Sequence, residues 1–314
     1  MWITYLSLLG GLALLVVGAE LLVRGSSALA LRAGVTPLMI GLTVVAFGTS
    51  SPELVVGLRA SAGGDGSIAL GNVVGSNICN IALILGAAAL IKPLNVHAQV
   101  VRREVPILIG ASALLWLLLG GGTLGRLEGL LLACALAGYL WWSYRSARAE
   151  KSAAVAEEFA EAVPKPSRRI WLDALFVVAG LGMLLAGAGL FVGGAVTLAE
   201  VFGVSRAVIG LTVVAVGTSL PELATSVIAA FRGEGDIAVG NAVGSSILNI
   251  FCILGVTALI VPIESGGIDN IELAVMTGTA LLAAPLMRSG FCLNRWEGAL
   301  LVAGYCGYIY HLVP

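Results

Sequence analysis

Apolar side chains run through this chain in long unbroken stretches, at approximately 2–23, 35–62, 67–91, 104–121, 124–144, 170–198, 204–231, 236–262, 268–287 and 294–312. A hydrocarbon core of roughly 30 Å is crossed by about 20 helical residues, so the pattern predicts ten transmembrane helices. A membrane barrel would show segments of about ten residues alternating in polarity; these runs are continuous, and strands are not expected. The predicted fold class is an all-α polytopic membrane protein. Composition agrees: 59% of residues are hydrophobic and 11% charged, with a mean hydropathy of +1.02, against a charged fraction of about 25% in ordinary soluble domains.

The polar interruptions repeat. Gly41 to Leu54 reads GLTVVAFGTSSPEL and Gly210 to Leu223 reads GLTVVAVGTSLPEL, while GNVVGSNICNI (Gly71 to Ile81) returns as GNAVGSSILNI (Gly240 to Ile250). Both pairs are offset by 169 positions. The chain therefore divides into a first five-helix repeat over 1–145, a hydrophilic linker over 146–169 and a second repeat over 170–314. Five spans is an odd number, so the second copy enters the membrane from the opposite side and the two repeats are inverted. Inverted repeats are a transporter signature, with substrate held near the midplane where interrupted helices from both halves meet.

Charge sets the expected orientation. If the linker faces the cytoplasm, the loops on that side carry Arg24, Arg32, Lys92, Arg102, Arg103, Arg145, Arg148, Lys151, Lys165, Arg168, Arg169, Arg232, Arg288 and Arg295, and the other side only Arg59, Arg126 and Arg206. This satisfies the positive-inside rule and puts both termini of a multi-pass plasma (inner) membrane protein outside the cytoplasm. The expected surroundings are the lipid bilayer and small inorganic cations; a net charge of −1 offers no basic surface for nucleic acid. Oligomeric state is not set by the sequence. Cys79, Cys134, Cys252, Cys292 and Cys306 form no CxxC pair, which speaks against a disulfide frame or zinc site; they are expected within spans as packing residues. Glu20 and Arg24 are spaced to pair along one helix.

The candidate chemistry lies at the repeated motifs. Glu53 and Glu222 are ionisable groups inside apolar runs, which marks a functional site. Thr49 and Ser50 share a helical face with Glu53, as Thr218 and Ser219 do with Glu222. Pro52 and Pro221 remove a backbone donor from the same turns, so carbonyl oxygens near Ala46 and Ala215 lack helical partners and require protein, water or an ion. The next spans add Ser76 with Asn80 and Ser245 with Asn249, both at i, i+4. Asn72 and Asn241 read as residues that set helix starts or cross-helix bonds. Carboxylates, hydroxyls, amide oxygens and carbonyls, with no imidazole or thiolate, suit hard cations such as Ca²⁺, Na⁺ or Mg²⁺. Two carboxylates match one divalent ion, offsetting a cost on the order of 3 kcal/mol for each acid at the membrane centre. Singly, a Pro-Glu is a kink with a solvated acid and a Ser or Asn is a helix-helix bond; recurrence in register favours an ion site.

At these residues the chain resembles the sodium/calcium exchanger family of calcium/cation antiporters, in its compact prokaryotic form. The paired GTSxPEL and GNxVGSxxxN segments carry the resemblance. It implies that Glu53 and Glu222 are shared ligands of Ca²⁺ and Na⁺, and that Thr49 and Thr218 contribute carbonyl oxygens. It also implies that Ser50, Ser219, Ser76 and Ser245, with the carbonyls of Ala46 and Ala215, line flanking sodium sites, with Asn80 at the family's midplane asparagine. Many members have aspartate where this chain has Asn249. The implied function is exchange of Ca²⁺ for Na⁺ by alternating access at a central carboxylate site. The alternative within the fold is antiport of Ca²⁺ or another divalent cation for H⁺. A channel would need a continuous pore, and an intramembrane enzyme would need a nucleophile with its base; neither an enzyme nor a bound cofactor is expected.

Overall fold

The computed structural model describes residues 2–64, 66–149, 170–202, 215–265, 268 and 270–312. Most of the expected linker, with Lys151, Lys165, Arg168 and Arg169, lies outside these residues, as do Arg206 and the GLTVV of the second motif. The helices are α1 (Trp2–Ala33), α2 (Pro37–Thr49), α3 (Ser51–Ala62), α4 (Gly66–Ile91), α5 (Val100–Gly121), α6 (Arg126–Ala149), α7 (Ile170–Val201), α8 (Ala215–Thr218), α9 (Leu220–Arg232), α10 (Gly235–Ile260), α11 (Asn270–Arg288) and α12 (Arg295–Leu312). Among the described residues six of these are long and apolar enough to cross a membrane, or seven if α2 and α3 count as one bent span. Helix α1 runs ten residues beyond its apolar stretch, so Arg24 and Arg32 lie in its last turns instead of a loop.

The core is built on α10, whose side chains are buried without interruption from Ile237 to Leu254. Glycines let its neighbour in: a Cβ on Gly244 would stand 2.7 Å from Leu42, and one on Gly240 2.8 Å from the Leu38 carbonyl. The most extensive helix pairing is between α1 and α7. Gly11, Gly18 and Gly25 on α1 and Gly180, Gly187 and Gly194 on α7 each recur every seven residues and are equivalent under the 169 offset. The two helices are antiparallel, since a Cβ on Gly11 would meet Phe191 and Gly187, one on Gly18 would meet Gly180, and one on Gly25 would meet Asp173. Small residues that let backbones touch are what apolar helices use to associate when lipid is no worse a solvent than leucine.

Two short antiparallel ladders correct the expectation of no strands. They are β1 (Leu94–Asn95) with β4 (Cys292–Leu293), and β2 (Thr123–Leu124) with β3 (Ile263–Glu264). Adding 169 to Leu94 gives Ile263, and subtracting it from Leu293 gives Leu124, so one ladder maps onto the other by exchange of the halves. The flanking bonds obey the same exchange: Val96 N donates to the Phe291 carbonyl at 2.8 Å and Ser265 N to that of Gly122 at 2.9 Å. Gly122 and Phe291 share a left-handed backbone, φ 76° and 52°; loop residues that leave a membrane helix must satisfy their peptide groups somewhere, and these pair with each other.

Two further expectations change. Glu20 does not pair with Arg24; it meets the Arg232 guanidinium in a two-pronged contact, Nε lying 2.6 Å from Oε2, while Arg24 sits over the Phe176 ring at 5.6 Å. A partner on another helix reaches both carboxylate oxygens, which an exposed i, i+4 pair rarely does. Ser27 donates to Glu234 in the α9–α10 turn, where burial pushes the Glu234 carboxyl above its ordinary range against the pull of Ser27 and Arg232. Of the cysteines, only Cys79 and Cys252 are buried; Cys134 and Cys306 are exposed and Cys292 lies in β4.

The glycine seam gives a direct stability prediction. Gly18→Ala places a methyl 2.9 Å from the Gly180 carbonyl and is expected to lower stability by about 1–3 kcal/mol, read as a fall in thermal midpoint in detergent. Gly182→Ala, which meets nothing within 4 Å, should cause no fall, because alanine is the better helix former.

Candidate functional site

Both GTSxPEL motifs break their helix at the same serine. Ser50 has φ −82°, ψ 5° and Ser219 φ −90°, ψ 8°, each followed within two residues by the proline that cannot donate backward. Helices α2 and α3 meet at 42°. The break makes Glu53 and Glu222 first-turn residues of α3 and α9, where the positive end of the helix dipole favours a carboxylate. The carbonyl ends of α2 and α8 face the same break. The carbonyls near Ala46 are less bare than expected: the Ser50 amide donates to Ala46 O at 3.0 Å, the Thr49 hydroxyl lies 3.1 Å from Val45 O and 3.3 Å from Ala46 O, and Ser51 donates to Phe47 O. Serine and threonine side chains thus add donors to the carbonyls just before the break.

Helices α4 and α10 pass beside these breaks, and each contains a π-helical turn, Cys79–Ile84 and Asn249–Leu254. These wide turns begin at or beside Asn80 and its equivalent Asn249. They are the kind of local rearrangement that gathers at functional positions.

The halves interlock through polar side chains. Ser50 donates to Glu222 Oε1 at 2.9 Å, joining the first motif to the acid of the second. The Thr49 hydroxyl is also 3.1 Å from Asn241 Oδ1, and the Asn241 amide donates to Ser226 Oγ at 3.1 Å and to the Glu222 carbonyl at 3.3 Å. The exchanged counterpart is present too, Thr218 donating to Asn72 Oδ1 at 3.4 Å, so both asparagines make the cross-helix bonds expected of them. Ser219 donates to Ser76 at 3.3 Å, and Ser245 to the Ala46 carbonyl at 3.5 Å. The twelve candidate residues all fall on the two broken helices and on α4 and α10; for Ala215 only the backbone, in α8, is described. Thr218 is half-buried, whereas Glu53, Glu222, Asn80 and Asn249 are each 1% exposed.

Several buried atoms in this cluster have no protein partner: Glu53 Oε2, Glu222 Oε2, Asn249 Oδ1 and both amide atoms of Asn80. Unmet polar groups in an apolar interior are expensive, and these occur at equivalent positions of the two halves. The donor set, all oxygen, is of the kind that suits hard cations. Among the described residues no group of three or more His, Cys, Asp or Glu gathers into a transition-metal cluster. A crevice of about 10 Å³ reaches Ser50 between Phe47, Ser51 and Leu54 on one side and Leu248, Cys252 and Ile253 on the other. That is room for one water-sized body.

Sequence reasoning missed Asn77. Its amide donates to the Ser246 carbonyl at 3.1 Å, and it accepts from Asn249 Nδ2 at 2.9 Å. Asn77 and Ser246 are 169 residues apart, so this bond joins a position to its own counterpart across the interface. The bond to Asn77 Oδ1 commits the Asn249 amide nitrogen, and the Asn249 oxygen has no protein partner. Matching by identity passed over the pair because the two residues differ in type; the offset alone would have found it.

The family model described as sodium/calcium exchanger protein matches residues 3–145 and 172–313. The chain is 39% identical over 320 residues to the putative antiporter CaxA of Alkalimonas amylolytica, covering 99% of each chain. It is 32% identical over 341 residues to the sodium/calcium exchanger MaX1 of Methanosarcina acetivorans, covering 98% of this chain and 97% of that one. Its fold matches the structure of the sodium-calcium exchanger NCX_Mj soaked with Na⁺ and Ca²⁺ at a TM-score of 0.83, with 32% identity over 99% of both chains. Helices that break at paired acid motifs, packed in an all-helical membrane fold, thus coincide with a family match over nearly the whole sequence, and the chain belongs to the sodium/calcium exchanger family of membrane transporters, which are not enzymes.

Proposed function

We propose that this protein exchanges Ca²⁺ for Na⁺ across the plasma (inner) membrane by alternating access, using Glu53 and Glu222 as the ligands that both ions share. The observation that carries the reading is the set of buried, unpartnered oxygens at exchange-related positions, Glu53 Oε2 with Glu222 Oε2 and Asn80 with Asn249. In this scheme Thr49, Thr218, Ala46 and Ala215 contribute oxygens at the helix breaks, and Ser50, Ser219, Ser76 and Ser245 flank them. Asn249 supplies a neutral oxygen to the same set. One Ca²⁺ or two Na⁺ neutralise the two acids, so either load lowers the cost of an ionised pair in apolar surroundings, whereas the unloaded pair carries mutual repulsion. The neutral oxygens can take a further Na⁺.

The proposed architecture is ten spans as two inverted five-helix repeats, 1–145 and 170–314, joined by a cytoplasmic linker over 146–169, with both termini outside. The antiparallel contact of the equivalent helices α1 and α7 supports inversion. So do the ladders, each of which joins two loops assigned to one side of the membrane.

Proteoliposomes loaded with Na⁺ should take up ⁴⁵Ca²⁺ saturably, and only while the outward Na⁺ gradient lasts. Uptake driven by a pH gradient without Na⁺ would reassign the carrier to proton coupling, with the same two acids carrying H⁺.

Glu53→Gln and Glu222→Gln should each reduce Ca²⁺ flux at least 100-fold while leaving the thermal midpoint unchanged or raised, because each removes a ligand charge and also a buried acid. Flux near the wild-type rate in either variant would refute the shared site.

In a background without native cysteines, Gly120→Cys should react with an impermeant thiol reagent from outside and its equivalent Ser289→Cys only from the cytoplasm. Both positions are exposed. Labelling of both from one side would overturn the inverted arrangement.

A further inference from the structure

A side-chain amide carries an acceptor at one end and a donor at the other, and only the oxygen end is of use to a hard cation. Asn249 begins the π-helical turn of α10, and Asn241, Ser245 and Asn249 follow one another at four-residue steps along one face of that helix. Asn241 donates to the Glu222 carbonyl and meets the Thr49 hydroxyl, and Ser245 donates to the Ala46 carbonyl, so this face looks onto both broken motifs. An asparagine placed there can present either its oxygen or its NH₂ group. The choice is made from the opposite side. Asn77 of α4 is 2% exposed, and its Nδ2 donates to two atoms that can only accept, the Ser246 carbonyl at 3.1 Å and Met276 Sδ at 3.8 Å. Its Oδ1 is thereby turned to Asn249, whose Nδ2 donates to it at 2.9 Å. The Asn249 amide is planar, so its Oδ1 is directed away from Asn77, and that oxygen is buried with no protein partner.

The exchanged half lacks this arrangement. Under the 169 offset Asn77 becomes Ser246 and Asn249 becomes Asn80. The Ser246 hydroxyl is committed to the Ala242 carbonyl at 2.9 Å, and neither amide atom of Asn80 has a protein partner. The two midplane asparagines therefore differ: one is oriented by the protein and the other is not. We infer that Asn77 is a positioning residue for the ion site, which reads the Ser246 backbone carbonyl and fixes the Asn249 amide with its oxygen toward the cations before any ion arrives. An oxygen oriented in advance does not have to be turned and ordered when the ion binds, and affinity gains by that amount. The inference rests on the ion-site reading above, in which Asn249 is a ligand.

Calorimetric titration of the purified full-length protein with Ca²⁺ measures the effect. Asn77→Leu keeps the branched shape of the side chain and removes its hydrogen bonds. It should raise the Kd for Ca²⁺ about two- to tenfold, the worth of one oriented hydrogen-bonding group. Made in an Asn249→Ala background, the same change should leave the Kd unmoved, because a residue that acts through Asn249 then has nothing to act on. An equal fold-change in both backgrounds would overturn the inference, since it would mean a general packing role, and so would an unchanged Kd in the single variant. A second measurement uses the wild-type protein without ions. With ¹⁵N-labelled asparagine, the Asn249 side-chain amide should show an order parameter of about 0.85, that of a rigid group, and a value below about 0.6 would overturn the inference even if a variant fails to fold or to bind. Because no ion enters this readout, it judges Asn77 separately from the flux of Glu53→Gln and Glu222→Gln, which judges the shared site.

Discussion

Two carboxylates held 1% exposed in the middle of an apolar helical assembly dictate much of what surrounds them. An ionised acid in such surroundings needs compensating dipoles, hydrogen bonds or a cation, and an unbroken helix has few to give because its peptide groups are already paired. Breaking the helix one turn before each glutamate releases both kinds of help. The new N-terminus of α3 or α9 lies beneath the acid, and the carbonyl ends of α2 or α8 point into the same space. A single proline per half, Pro52 or Pro221, is enough to fix where that happens. The hydroxyls of Thr49 and Ser51 then cover backbone carbonyls beside the break, while that of Ser50 reaches Glu222.

The same constraint explains why the halves are interlocked through side chains at the centre and through backbone at the periphery. At the centre, Ser50 reaches Glu222, and Asn241 ties Thr49 to the Glu222 turn, so Glu222 is not positioned by its own half alone. At the loops, where helices end and peptide groups come free, the ladders and the Val96 and Ser265 bonds join strands from opposite halves. Between these levels the apolar contacts are selected for shape, with glycines wherever two backbones touch.

Much of this was legible in the chain because periodicity and duplication are global signals. Continuous apolar runs announce membrane helices, and the doubled GTSxPEL and GNxVGSxxxN segments single out Glu53, Glu222 and their hydroxyl neighbours. What the sequence hid was geometry that depends on partners remote in the chain. Glu20 chose Arg232 over Arg24 because a two-pronged contact across helices was available, and no spacing rule carries that information. The π-helical turns at Asn80 and Asn249 have no residue signature of their own. The short ladders escaped because two residues are too few to alternate visibly. Asn77 escaped because its counterpart is a serine.

The contacts Glu20–Arg232 and Ser27–Glu234, which fasten α1 to α9 and to the turn after it, have no mirror image. The positions equivalent to Glu20, Ser27 and Arg232 are Gly189, Val196 and Gly63. A carrier whose halves were interchangeable would be degenerate, favouring neither membrane face in the absence of ions or voltage. In the proposed scheme that degeneracy is lifted at one rim by three polar side chains and the Glu234 carboxylate of the glycine turn, on segments other than the Glu53 and Glu222 motifs. On that proposal the resting preference can drift through substitutions at the rim without altering the proposed Glu53 and Glu222 site. Because Glu20 and Arg232 are partly exposed, the preference also weakens as ionic strength rises. Directionality and selectivity are, in this architecture, separable properties.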